Sequence, residues 1–140
     1  MALCACAQQV ELSTGDGPGR QSAFFQEFPT PLFEAIASGC QGELDRLTLV
    51  SERELLCETL PTPEAAASLI LQFGGDVEDL PTLVTTLEAT ERDEGFAVVT
   101  EYFYRVPQLG GEVAEVRFAE PRVQRIIQRA FTAAGGTPIL

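Results

Sequence analysis

A chain of 140 residues, 45% apolar and 21% charged, is long enough to bury a core and too apolar to stay unfolded. Its net charge of −12 would repel a phosphate backbone, which argues against direct nucleic-acid binding, and no run of 18 apolar residues marks a membrane-spanning helix. All nine basic residues are arginine, and without histidine the chain lacks the commonest proton shuttle and the commonest metal ligand.

Residues 1–21 read as an N-terminal arm: a strand over residues 3–13, then the loop Thr14-Gly15-Asp16-Gly17-Pro18-Gly19, where glycine and proline interrupt regular structure. The start of the chain has no basic stretch and too short an apolar run for a secretory signal, so the expected location is the cytoplasm, or a virion if the protein comes from a phage. Residues 22–140 read as one globular domain. In it Phe24, Phe25 and Phe28 precede Thr30-Pro31, a cap-and-proline helix start, and Leu32, Phe33, Ile36 and Ala37 follow at helical spacing to a stop at Gly39. Leu47–Val50 reads as a brief strand or a helical turn.

Three helices are expected in the middle of the chain. Ser51 and Glu54 have capping-box spacing ahead of Leu55, Leu56 and Leu60. Thr62-Pro63-Glu64 opens a helix through Leu69, Ile70 and Phe73 that stops at Gly74-Gly75. Asp79 caps a third, with Pro81 in its first turn and Leu83, Val84 and Leu87 on its buried side. Residues 96–106 are rich in β-branched and aromatic side chains and residues 112–118 alternate, so 96–118 reads as a β-hairpin; helical spacing of Phe96, Val99, Phe103 and Val106 keeps an all-α alternative open. Pro121 then opens an amphipathic helix to about residue 134, with Val123, Ile126, Ile127, Ala130 and Ala134 on one stripe. The expected class is therefore α+β: short helices over the first two thirds, then a hairpin and a C-terminal helix.

No constellation of catalytic residues stands out, so the chain reads as a non-enzyme with no cofactor. Four thiolates could hold zinc or an iron–sulfur cluster, but Cys4 and Cys6 form one close pair while Cys40 and Cys57 lie 17 residues apart. Cys57, among leucines, reads as a core residue, and a disulfide is disfavoured by the expected compartment. Tyr102 and Tyr104 would share one face of a strand. Charge is unevenly placed: residues 1–116 carry 20 acidic residues against five arginines, and residues 117–140 carry one glutamate against four. Arg122, Arg125 and Arg129 line one stripe of the last helix.

These features point first to a protein–protein interaction or assembly component, such as a subunit, an adaptor or a virion-type structural part. It would bind a protein partner or itself, with Arg122, Arg125, Arg129, Tyr102 and Tyr104 as contacts. One alternative is a polyanion-mimicking inhibitor of a nucleic-acid-binding protein, acting through the acidic run that includes Glu88, Glu91 and Glu94. Another is a metal- or cysteine-dependent enzyme built on Cys4, Cys6, Cys40 and Cys57.

Overall fold

The computed structural model describes residues 18–139. In chain order these form β1 (Arg20–Phe25), α1 (Thr30–Gly39), β2 (Arg46–Ser51), β3 (Glu54–Thr59), α2 (Pro63–Phe73), β4 (Thr82–Arg92), β5 (Gly95–Pro107), β6 (Val113–Arg117), α3 (Pro121–Ala133) and β7 (Thr137–Ile139). The seven strands make one sheet: six run in the order β2-β3-β4-β5-β1-β7, β6 pairs with β5 beside that path, and every pairing is antiparallel. The 13-residue β5 is its spine. Along one edge β5 takes all of β4, from Arg92↔Gly95 to Thr82↔Arg105. Its other edge is shared end to end by β1, over Phe96–Glu101, and β6, over Phe103–Pro107.

Period-two alternation puts Ala23, Phe25, Leu55, Leu87, Ala89 and Val98 on one face of this sheet, and all six are buried. Leu32 and Phe33 of α1 and Phe131 of α3 close over them. α2 meets the far end of β5, where Ile70 and Val106 flank Gly75. The opposite face carries charge in register: Glu101 bonds both Arg20, at 3.3 Å, and Arg117, at 3.1 Å, and Arg117 also reaches Glu115 at 3.3 Å. Arg117 further lies over the Phe103 ring, 4.8 Å from its centroid.

The helix-dominated plan expected from the sequence does not hold. Strand makes up 43% of the structure and helix 28%, and the all-α alternative is excluded. The segment expected to be a helix through Leu55, Leu56 and Leu60 is β3, hydrogen-bonded to β2 and β4. Ser51 caps no helix; its Oγ accepts from Arg53 N–H at 3.1 Å inside the β2–β3 turn. The helix expected after Asp79 is β4, where Thr82, Thr85, Thr86 and Thr90 favour the pleat, and pairing on both edges outweighs the cap signal. β1 begins at Arg20, so the last two residues of the stretch read as an arm lie in the sheet, next to its spine. The strand expected over residues 3–13 falls outside the described residues.

Gln21 is a polar intruder on the core face. It is 8% exposed, and among the described residues neither its amide nitrogen nor its oxygen has a hydrogen-bond partner. Its β5 neighbour Thr100, just as buried, satisfies itself by donating to the Thr86 carbonyl at 2.8 Å. An unpaired buried amide costs about 1–3 kcal/mol, so Gln21→Met, which keeps the shape and removes the polar atoms, is expected to raise stability by about 1 kcal/mol in urea denaturation. A loss of stability instead would show that the amide is engaged.

Candidate functional site

The most distinctive surface is built where β3 hands over to α2 and the chain returns into β4. Thr62 accepts from Ala65 N–H at 3.3 Å and Pro63 follows, which starts α2 sharply against the end of β3. Gly74 ends the helix with φ of 70°, in the left-handed region that glycine enters without strain. The return is pinned by Gln108, whose Nε2 donates to the Phe73 carbonyl at 2.7 Å. Asp76 then accepts from Glu78 N–H at 2.9 Å, a tight turn that leaves Val77 outside before Leu80 and the buried Pro81 re-enter the sheet.

Between α2 and this return lies an apolar groove of about 510 Å³, floored and walled by Leu60, Ile70, Leu71, Val77, Leu80 and Pro81. Leu71 is 85% exposed and Val77 74%. A second cleft of about 390 Å³ continues from it, sharing Leu60 and Leu80 and adding Leu44 and Val113. Single exposed aliphatics are ordinary on a protein surface; a continuous set is a mark of binding. The first groove has no charged lining residue, but its lining residues have acidic chain neighbours in Glu64, Asp76, Glu78 and Asp79; the second cleft is lined by Glu58, Asp79 and Glu112 and by two arginines, Arg46 and Arg105. Arg105, which also lines the second cleft, is tied to Glu58 at 3.9 Å. The surface is thus apolar in the middle and mostly acidic at the rim, the layout of an interface for a basic, amphipathic partner.

No protein-family model, curated protein or solved structure matches the chain.

The residues nominated by the sequence end up in several places. Arg122, Arg125 and Arg129 lie exposed along the outside of α3, and no ion pair among the described residues engages them. Ile126, 64% exposed, sits in the same row. Tyr102 and Tyr104 do share a face, but the protein's own Phe118 packs against both rings, at 4.9 and 4.7 Å. Tyr102 is 2% exposed and its hydroxyl accepts from Glu120 N–H at 3.0 Å, so it braces the start of α3 and has no surface for a partner. Tyr104 is half-buried.

Glu88 and Glu91 project from opposite faces of β4, Glu91 is bound to Arg53 at 3.2 Å, and Glu94 lies in the β4–β5 turn. They do not form one row. Cys40 and Cys57, nominated as thiolate ligands, are joined as a disulfide between the end of α1 and β3, with Cα atoms 6.0 Å apart. Both sulfurs are thereby committed to each other, and Cys4 and Cys6 lie outside the described residues. Among the described residues no three His, Cys, Asp or Glu side chains converge on a metal position, and no helix is long and apolar enough to cross a membrane.

The groove itself was missed in the sequence, although a signal exists. Leu69, Ile70 and Leu71 are consecutive, and a helix that buries one side cannot bury all three. Leu69 goes inside and Leu71 is left out.

Proposed function

We propose that this protein is a non-enzymatic interaction or assembly component whose docking surface is the groove between α2 and residues 76–81. The partner it suits is a protein segment with aliphatic side chains on one side and basic residues beside them. The observation that carries this reading is the continuity of Leu44, Leu60, Leu71, Val77, Leu80 and Val113 across two adjoining clefts, inside a mostly acidic rim. Aliphatic contact would supply the affinity, and the rim would select the sign of charge and speed the encounter.

The test is fluorescence anisotropy of a dye-labelled helical peptide of leucine and lysine, titrated with the whole protein. Binding is expected, weakened as salt rises from 50 to about 500 mM because the rim charges are exposed. Leu71→Glu, at a position too exposed to disturb the core, should weaken binding at least about tenfold. Absence of binding, or binding indifferent to Leu71→Glu, refutes this reading.

A further inference from the structure

We infer that the occupant of the groove is α3 of a second copy of this chain, joined head to tail. The inference rests on the docking role proposed above and names its partner. Along the outside of α3, Arg122, Arg125, Ile126 and Arg129 follow at i, i+3, i+4 and i+7, so they form a single stripe with an aliphatic side chain inside a basic border. Ile126 is the one exposed large aliphatic of that helix. This is the inverse of the groove, whose lining is apolar and whose lining residues Pro63, Val77 and Leu80 have the acidic chain neighbours Glu64, Asp76, Glu78 and Asp79.

The stripe is also free to act. Phe131 holds the inner side of α3 in the core, and Glu120 fixes its first turn by accepting from Arg122 N–H at 3.2 Å. Within one copy the two surfaces are apart. α3 packs on β1 and β7, whereas the groove lies beside the end of β3 and the start of β4, across β5 in the sheet. A contact between two different surfaces leaves one helix and one groove unused on every pair. Further copies therefore add until a ring closes or a filament grows.

Sedimentation velocity and native mass spectrometry decide it. The whole chain at 50 mM salt is expected above its 15.1 kDa monomer mass, growing with concentration and shrinking as salt rises. Ile126→Glu and Val77→Glu, both at exposed positions, should each give a monomer with an unchanged thermal melt. An equimolar mixture of the two restores a single contact, from the intact helix of one to the intact groove of the other, and should stop at two copies. A monomeric wild type, a mixture that stays monomeric, or an assembly that survives both substitutions overturns the inference. If the wild type is monomeric but still binds the leucine–lysine peptide through Leu71, only the self-partner fails; if it binds neither, the docking reading fails with it.

Discussion

Opening the Cys40–Cys57 bond is expected to lower the unfolding free energy by about 3 kcal/mol and the melting midpoint by roughly 10 °C. The bond spans 17 residues and closes a loop containing β2 and the β2–β3 turn. In the unfolded chain that loop would otherwise be free, and its lost entropy sets the size of the effect. Reduction leaves two small buried thiols where the bond was, so packing changes little, and the midpoint difference reports the cross-link. Cys57→Ser should cost somewhat more, because it also buries a hydroxyl. The check is urea denaturation with and without reductant, with free thiols counted in each sample. Equal midpoints for fully oxidised and fully reduced protein would show that the cross-link adds no stability. The sequence-based expectation of a cytoplasmic location set disulfides aside; a reducing compartment would hold this pair as thiols, and the protein there would lack this margin.

Phe131→Ala is expected to cost about 3–5 kcal/mol, a large fraction of the 5–15 kcal/mol that holds a typical domain together. Phe131 is 1% exposed and meets Phe25 edge to face, with centroids 6.0 Å apart and planes at 72°. The same Phe25 ring presses on Gly136, where a Cβ would overlap it, so the chain beyond α3 cannot move in to fill the space that alanine leaves. Phe131→Leu, which retains most of the volume, should cost less than half as much. Chemical denaturation of the three proteins side by side measures this. A cost below about 1 kcal/mol for the alanine variant would mean that α3 is not seated on the sheet, and the proposed helix-to-groove contact would lose its rigid donor.

The helices that could be read from the sequence are those whose start signals are local and uncontested. Thr62-Pro63 and Glu120-Pro121 begin helices in the structure, and Gly74 ends one. The failures share one cause. Capping signals at Ser51 and Asp79 are real hydrogen-bonding capacity, but a turn between strands uses the same chemistry. Ser51 serves the β2–β3 turn, and the loop before β4 is turned by Asp76. Leu83, Val84 and Leu87 fit a helical stripe, yet Val84 and Leu87 point to opposite faces of β4 and both are buried. A strand buried on both sides loses the alternation that would have identified it. The expected hairpin does contain a true pairing, but β6 meets only Phe103–Pro107; on that same edge the rest of β5 pairs with β1, which lies far away in sequence. Of the candidate site, the arginine stripe was legible because it is a property of one helix. The groove was not, because Leu44, Leu60, Leu71 and Val113 come together only through the order of the strands.

The two strands that share one edge of β5 have opposite histories. β6 follows its partner after a short turn, as do β3 after β2 and β5 after β4, so each of these pairs closes a small loop. β1 pairs with β5 from far away in the sequence, and β7 pairs with β1 across a still longer stretch of chain. Loop-closure entropy therefore favours formation of the β2–β6 platform before β1 and β7 are added to it. The first and last described strands then lie side by side, so the sheet is finished by a clasp made from its two ends.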